Sequence, residues 1–357
     1  MATTSRITAF EEEIEFESFV RFPIQVLRTM LFELEPRKLH LTRKEAFKFV
    51  LKINFYRFCL LSIFGATALI LIYAKVNTSS FVEASNVIIN AFAIATILIK
   101  SFTTFWSCEE ILLVFEKFRE LFKDRPNHYS TYKIKSHLKI FQRFLKVYLA
   151  AFFLTFLLAV VPSFQYFYDG AMTFKIKFWY PFDPYQPSIY PLVSLWTFFI
   201  YYISIAGCFG AETILFAMLA VLKMEFDFLK MDFMKLKDVM QDNRTKQFAK
   251  LVDRHNKLFD LSDKIQNIYQ FTFLFVFVTG SIIICLALFQ LSTEKNVIDA
   301  FSLDIPYLVI FSVQVFMYCF LGQRLIDSSG AVAEGILNSG WEDDDDRAYI
   351  KTLFWYF

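Results

Sequence analysis

Six long runs without a charged residue divide the chain, and they constrain its fold more than any other feature. They are Phe58 to Ala74, Ala84 to Ile99, Val147 to Tyr168, Pro184 to Ala211, Ile265 to Thr293 and Ile305 to Gln323. A helix needs roughly 17–25 residues to cross the hydrocarbon core of a bilayer. Each run is close to that length or above it, the second only if Lys100 or its flanks reach the interface. The sequence therefore predicts an all-α membrane protein with six complete transmembrane helices.

Composition supports this class and argues against several others. Hydrophobic residues make up 56% of the chain, whereas soluble domains average roughly 45–50%. The net charge of +2 is too balanced to indicate a nucleic-acid partner. No HExxH metal motif, Gly-rich phosphate loop or GxSxG nucleophile motif occurs. We therefore expect no enzymatic activity, no metal and no cofactor, and a lipid bilayer as the surroundings.

The distribution of Lys and Arg predicts how the spans are oriented. Residues 1–57, 100–146 and 223–264 each hold ten of these residues. The alternate connections, 75–83, 169–191 and 294–304, hold one, two and one. Cytosolic loops of membrane proteins carry the excess of positive charge. The N-terminus is therefore expected in the cytosol, which argues against a G-protein-coupled receptor because that class has its N-terminus outside.

The segments outside the spans predict how the chain is organised. Residues 1–52 form a cytosolic segment whose mixture of aromatics and arginines favours an interfacial amphipathic helix. Spans one to four occupy 53–222, with an outer loop, 169–191, rich in Pro and aromatic residues. This loop is either an ordinary structured connection or a lid over an outward-facing pocket. Residues 223–264 continue as cytosolic anchor helices, and 265–323 hold spans five and six.

Two polar residues in apolar surroundings have competing interpretations. Glu212 lies inside the fourth apolar run, near its cytosolic end. An ionisable residue at that depth is a candidate functional residue, but snorkelling or pairing with a neighbouring helix is the favoured account. His255 lies on an amphipathic face that leads into span five, and a packed, hydrogen-bonded histidine is favoured there over a ligand or a titrating switch.

Several features together resemble the insect odorant receptor family. They are the inverted topology, the loop sequence WYPFDPYQPSIYP, the RHNKL segment before span five, and the ending, where YCFLGQRL is followed by a polar turn and AEGILNSGW. The family has an Ala-Glu pair and Asn-Ser-x-Trp at corresponding places, matched by Ala333, Glu334, Asn338, Ser339 and Trp341. The resemblance covers essentially the whole chain.

The resemblance implies a subunit of a tetrameric, odorant-gated, non-selective cation channel in the plasma membrane of olfactory sensory neurons. Variable tuning subunits of this family assemble with a shared co-receptor, Orco, whose insertion between spans four and five is much longer than residues 223–264. The chain therefore resembles a tuning subunit that binds a small volatile. A gustatory-receptor-like channel subunit and a seven-helix receptor signalling through cytosolic partners are the alternatives.

The family resemblance places the ligand pocket among spans two, three, four and six, in the outer half of the membrane. Those positions are apolar and aromatic with a few hydroxyls and amides and no charge, which predicts a neutral volatile. The candidate ligand-binding residues, chosen by helical spacing at the outer ends, are Ile88, Phe92, Phe164, Gln165, Tyr168, Ser194, Thr197, Tyr201, Tyr307 and Phe311. Alanine at Tyr168, Thr197 and Tyr307 is expected to shift odorant sensitivity without abolishing assembly.

The end of the chain resembles the cytosolic half of a seventh helix. In the family, the outer part of that helix lines the pore, and residues 324–357 resemble the anchor segment that precedes it. The candidate subunit-anchor residues are His255, Leu258, Glu334, Asn338 and Trp341. Because the apolar sequence stops at Phe357, we expect the natural protein to continue beyond it, or this form to be truncated.

Overall fold

Helices make up all the regular secondary structure that can be described. The structure is a computed structural model that describes residues 19–28, 43–77, 80–123, 134–164, 166–170, 172–174, 176–293 and 304–340. The helices within these ranges are α1 (residues 19–28), α2 (Arg43–Asn77), α3 (Phe81–Trp106), α4 (Cys108–Lys123), α5 (Ile134–Phe164), α6 (Tyr166–Asp169), α7 (Tyr190–Met234), α8 (Gln241–Thr293) and α9 (Asp304–Leu337). A short 3₁₀-helix, Lys235–Asp238, follows α7 directly.

Six of these helices are long and apolar enough to cross a membrane, so the prediction of six spans is confirmed. The spanning segments lie in α2, α3, α5, α7, α8 and α9. They extend past the uncharged runs at one or both ends because helix-favouring charged residues continue the backbone hydrogen bonding into water. In α3, for example, Ser80 accepts a hydrogen bond from the backbone N–H of Glu83 and caps the first turn.

The amphipathic spacing after span four predicts helices that continue past the membrane, and α7 and α8 have that form. Helix α7 has 45 residues and α8 has 53, which correspond to about 68 and 80 Å against a hydrocarbon core of about 30 Å. Their extensions pack on each other through Phe233 and Phe248, whose ring centroids are 5.7 Å apart. Helix α4 adds its apolar face, including Phe115 and Phe118, to the α8 side of this bundle.

Helix α7 is the central helix of the described structure. It contacts α2, α3, α5, α8 and α9, and side chains such as Phe209, Phe216 and Phe226 are fully buried. A helix that is apolar on every side has no face to present to water and packs at the centre of a bundle. The other five spans surround it and expose large apolar side chains such as Leu61, Phe153 and Phe271, as lipid-facing helices do.

The described part of the N-terminal segment packs one face of a helix on the bundle. Residues 19–28 do form a helix, but Phe19, Val20 and Leu27 are buried against the bundle. The ring of Phe22 lies 6.1 Å from that of Phe209 on α7. This apolar face is therefore buried by protein, and the interfacial position of the segment stays a prediction.

The ending also differs from the predicted polar turn after Arg324. Helix α9 instead runs without a break to Leu337, and the chain turns at Gly340, whose φ of +76° is left-handed. The helix can continue because residues 324–337 contain no proline. Gly335 allows α9 to approach α7 closely, since a Cβ at this position would lie 2.6 Å from the carbonyl oxygen of Lys230. The expected seventh-helix residues from 341 onwards lie outside the described residues.

Candidate ligand-binding cavity

A cavity of about 70 Å³ lies between α3, α5, α7 and α9, below the loop that joins α6 to α7. A water molecule needs about 10–15 Å³ of such space, so the cavity suits a small organic molecule. Its lining is mostly apolar and comprises Ala93, Ile94, Thr96, Ile97, Lys100, Phe152, Thr155, Ile176, Phe178, Ile200, Tyr201, Ser204, Ile205, Cys208, Tyr307, Ile310, Phe311 and Gln314. Helical spacing explains the α7 contribution: Tyr201, Ser204, Ile205 and Cys208 share one face.

The loop covers the cavity with two buried side chains, Ile176 and Phe178. It is held on both sides by hydrogen bonds. The backbone N–H of Trp179 donates to the carbonyl oxygen of Leu69 on α2 at 3.2 Å. The hydroxyl of Tyr190 donates to the carbonyl oxygen of Ser163 on α5 at 3.0 Å and accepts from the N–H of Thr173 at 3.1 Å. The loop therefore has the position that the lid interpretation requires.

A buried ion pair closes the inner end of the cavity. Lys100 on α3 donates to the carboxylate of Glu212 on α7, and their side chains are 2% and 1% exposed. The Lys100 ammonium also lies 3.9 Å from Cys208 Sγ and 6.0 Å from the centre of the Tyr318 ring. In the predicted orientation, α3 and α7 both run from the outside inwards. Lys100 and Glu212 are in contact, so they lie at the same depth of these two parallel spans.

Three further side chains donate to the Glu212 carboxylate. Tyr148 on α5 donates to Oε2, and the side-chain amide of Gln314 on α9 donates to Oε1. The hydroxyl of Tyr318, also on α9, donates to Oε1 at 3.1 Å. A buried carboxylate is tolerated when it is paired and its lone pairs accept hydrogen bonds. We call Lys100, Tyr148, Glu212, Gln314 and Tyr318 the Glu212 network, which joins α3, α5, α7 and α9.

The Glu212 network corrects two sequence-based expectations. Lys100 does not reach the membrane interface, because the Glu212 carboxylate inside the bundle provides a better partner than headgroup water. The pocket is also not free of charge, since Lys100 belongs to its lining. For Glu212 itself, the favoured interpretation of a pair with a neighbouring helix agrees with the structure.

Three of the ten residues proposed for ligand binding line the cavity: Tyr201, Tyr307 and Phe311. The hydroxyl of Tyr307 donates to Asn90 Oδ1 at 2.8 Å, which fixes the ring at the boundary of α9 and α3. Phe311 and the predicted residue Phe92 belong to one apolar cluster between α3, α8 and α9. This cluster lies beside the cavity and supports its wall.

The other predicted residues that the structure describes are not part of the cavity lining. The hydroxyls of Ser194 and Thr197 donate to the carbonyl oxygens of Ser163 and Val193. Ile88 on α3 is half-buried, and Phe164 packs edge-to-face against Phe198 at 6.1 Å. Tyr168 is 97% exposed, and Gln165 lies outside the described residues.

Sequence reasoning missed the inner part of the lining, notably Lys100, Ser204, Cys208 and Gln314. The predicted residues come from the outer ends of the spans, whereas these four lie one to two helical turns deeper. The signal that could have found Ser204 and Cys208 is the stripe Tyr201, Ser204, Cys208 and Glu212 on α7, at three- and four-residue spacing.

The four described residues proposed for the subunit anchor lie in the cytosolic extensions of α8 and α9 or directly after them. Leu258 is fully buried, and the ring of His255 lies 4.6 Å from that of Phe259 and 6.1 Å from that of Phe226. Glu334 accepts from the ammonium of Lys230 at 2.6 Å, and Asn338 donates to the carbonyl oxygen of Glu334 at 2.9 Å. Trp341 lies outside the described residues.

A second ion-pair cluster joins the extensions of α7 and α8. Arg254 contacts Glu225 at 2.5 Å and Asp232 at 3.6 Å, and both carboxylates are almost completely buried. Among the described residues, no group of three His, Cys, Asp or Glu side chains could hold a metal ion. The cavity, with its apolar wall and polar inner end, is therefore the arrangement best suited to bind a ligand.

Comparison with known proteins identifies the family. The family model described as 7tm odorant receptor matches residues 80–356, most of the chain. The chain belongs to the 7tm odorant receptor family. It is 24% identical over 352 residues to putative odorant receptor 92a of Drosophila melanogaster, covering 93% of this chain and 83% of that one. It is 30% identical over 169 residues to odorant receptor 85b of the same species, 46% of this chain and 42% of that one.

Solved structures agree on the fold of this odorant receptor. The insect olfactory receptor OR5 from Machilis hrabei matches with a TM-score of 0.80 at 15% identity, covering 95% of this chain and 88% of that chain. The same receptor in complex with eugenol matches with a TM-score of 0.74, covering 92% and 89%. The chain is thus a multi-pass membrane receptor of the insect olfactory type and belongs to a receptor family rather than an enzyme family.

Proposed function

We propose that this odorant receptor is the odorant-binding tuning subunit of a heteromeric, ligand-gated, non-selective cation channel. A neutral volatile occupies the cavity between α3, α5, α7 and α9 and opens the pore. The site of action is the plasma membrane of olfactory sensory neurons. The observation that carries the proposal is a covered, largely apolar cavity at the centre of the spans.

The lining of the cavity favours a neutral ligand. Its wall is formed mainly by aliphatic and aromatic side chains, and burial of apolar surface stabilises a bound molecule by about 25 cal/mol per Å². Among the described residues of the lining, Lys100 is the one cation, and it is already neutralised by Glu212. A ligand with an unpaired charge would lose its hydration without gaining a counter-ion. Eugenol, which the related receptor holds in its solved complex, is a neutral molecule.

The partnership with a co-receptor is supported by similarity in part of the chain. The chain is 30% identical over 98 residues to the odorant receptor coreceptor of Harpegnathos saltator, 27% of this chain and 20% of that one. The cytosolic extensions of α7, α8 and α9 form the surface we assign to subunit assembly, and they include the proposed anchor residues His255, Leu258 and Glu334. We expect the N-terminus in the cytosol, on the same side as these extensions.

The test is to fill the cavity. Ala93 lies in the lining of α3 and is 5% exposed, so Ala93→Phe should occupy the ligand's space and reduce odorant-evoked current at least tenfold. Ala150→Phe is the matched control, because it adds the same ring to an exposed position of the apolar helix α5. Currents are recorded from cells that express the receptor with a co-receptor, with surface expression measured in parallel.

Two outcomes would contradict the proposal. Unchanged dose–response curves for Ala93→Phe at normal surface expression would show that odorants bind elsewhere. A full odorant-evoked current from this chain without a co-receptor would refute the role of a tuning subunit.

A further inference from the structure

Three polar atoms around the cavity make no hydrogen bond within the described part of the chain. They are the hydroxyls of Tyr201 and Ser204 on α7 and the Oε1 oxygen of Gln314 on α9. Ser204 is 4% exposed and Gln314 is 1% exposed. Buried polar groups are nearly always hydrogen-bonded, and one that lacks a protein partner calls for an explanation. These three share a cavity, so one ligand can explain them together.

The other polar side chains of the lining already make hydrogen bonds to protein groups. Thr96 and Thr155 donate to the carbonyl oxygens of Phe92 and Ala151 in their own helices. Tyr307 donates to Asn90, and Lys100 donates to Glu212. Ser204 could have made the same intrahelical bond as the threonines but does not. The lining therefore presents specific, uncommitted hydrogen-bonding groups rather than generally polar surface.

The orientation of the Gln314 amide follows from its neighbour. Its NH₂ group donates to the Glu212 carboxylate, and a carboxylate can only accept. Reversing the amide would place its oxygen against that carboxylate and leave the NH₂ group on the other side. Oε1 is therefore fixed as an acceptor, and the matching ligand group must be a donor.

We propose that the cavity selects volatile alcohols and phenols, whose hydroxyl donates to Gln314 Oε1 and which accept a hydrogen bond from the Ser204 hydroxyl. The proposal rests on the function proposed above and adds the chemical class of the odorant. Tyr201, three residues before Ser204 on the same face of α7, provides a second donor for an oxygen further from the inner end. Esters, ketones and ethers can accept from Ser204 but leave Gln314 unpaired. Hydrocarbons leave both groups unpaired.

The experiment compares matched ligands on matched variants. The ligands are aliphatic alcohols, their isomeric ethers and hydrocarbons of equal heavy-atom count, for example 1-octanol, dibutyl ether and nonane, with phenols and their methyl ethers as a second series. The receptor is expressed with a co-receptor, and half-maximal concentrations are measured from evoked currents. The variants are Ser204→Ala and, as control, Thr213→Val, which removes a buried hydroxyl of α7 that is already bonded to Phe209 and lies outside the lining.

The alcohol or phenol should be about 10-fold more potent than its ether, which reports the donation to Gln314. Ser204→Ala should weaken alcohol and ether alike by about 10-fold and leave the hydrocarbon unchanged. Gln314 itself is left intact because substitution would also remove a donor from Glu212. Ser204→Ala removes no hydrogen bond within the described residues, so the thermal stability of this variant should not fall. Surface expression of Ser204→Ala is measured and compared with that of Thr213→Val.

The outcomes separate this inference from the proposed function. Equal potency of alcohol, ether and hydrocarbon, or an equal effect of Ser204→Ala on all three, would overturn the inference. A receptor that answers best to esters or ketones would overturn it while leaving an odorant-gated channel intact. Absence of current to every odorant of a broad panel, with the receptor and co-receptor at the cell surface, would overturn the proposed function and this inference with it.

Discussion

Replacing Lys100 with methionine should be among the most destabilising single changes in the described spans. Methionine keeps the length and apolar stem of the side chain but removes its charge. The Glu212 carboxylate, 1% exposed, would then remain inside the bundle without a cation. Its hydrogen bonds from Tyr148, Gln314 and Tyr318 would persist, but these donors do not neutralise it.

The magnitude follows from two independent estimates. Two unit charges about 4 Å apart in surroundings with an effective dielectric constant near 20 attract by about 4 kcal/mol. Removing one partner of a buried ion pair typically costs about 3–5 kcal/mol. Large domains lose about 2 °C of Tm per kcal/mol, so Lys100→Met should lower Tm by about 6–10 °C. Purified receptor in detergent micelles or lipid nanodiscs, monitored by thermal unfolding, provides the measurement.

The double variant Lys100→Met/Glu212→Gln makes the test specific. The amide introduced by Glu212→Gln is uncharged but can still accept from the two tyrosines, so most of the lost stability should return. Each single variant leaves one buried charge, whereas the double variant leaves none. The coupling between the two changes should therefore be several kcal/mol. Strictly additive losses, with the double variant less stable than either single one, would refute the assignment of Lys100 and Glu212 as an ion pair.

Two further predictions concern the cytosolic extensions. Gly335→Ala should destabilise the receptor by about 1–3 kcal/mol and weaken co-purification with a co-receptor, because the added Cβ would meet the carbonyl oxygen of Lys230 at 2.6 Å. Gly330→Ala, which has open space around its Cβ, should instead be neutral or stabilising by up to about 1 kcal/mol, and equal effects of the two would contradict the close approach of α9 to α7. Arg254→Met should cost about 3 kcal/mol by removing the guanidinium from Glu225 and Asp232. Lys177→Ala, which affects a half-exposed pair with Glu83 at 3.6 Å, should cost less than about 1 kcal/mol and serves as its control.

The architecture could be predicted from the sequence because its cause is local. An uncharged apolar run of roughly 17–25 residues predicts a membrane-spanning helix from its own length and composition. The same reasoning fails where two segments compete for one surface. For residues 19–28 it predicts an interfacial helix but does not show that Phe19 and Leu27 are buried on the bundle. The continuation of α9 past Arg324 differs from the predicted turn because a polar helix face is stable where another helix packs behind it.

The site was less predictable because its decisive contacts join distant residues. Lys100 and Glu212 are separated by 112 positions, and each alone is only a charge in an apolar run. The indication in the sequence that Lys100 and Glu212 form a pair was their opposite charge at similar depths of two parallel spans. The cavity lining could be predicted where aromatic residues marked it, as at Tyr201, Tyr307 and Phe311. The helical stripe of Tyr201, Cys208 and Glu212 includes Ser204, but the sequence does not show that the Ser204 hydroxyl makes no hydrogen bond to its own helix.

The same two helices, α7 and α9, connect the cavity to the cytosolic end of the receptor. They line the cavity through Tyr201 and Tyr307, meet at Glu212 through Gln314 and Tyr318, and meet again at Lys230 and Glu334. Movement of α9 along α7 would therefore break hydrogen bonds to the Glu212 carboxylate, each contributing about 1.5–3 kcal/mol. A ligand shifts such an equilibrium only by its difference in affinity for the two arrangements. An odorant that opens the channel by this movement must therefore bind the moved arrangement about 10- to 150-fold more tightly for each such bond that is broken and not replaced.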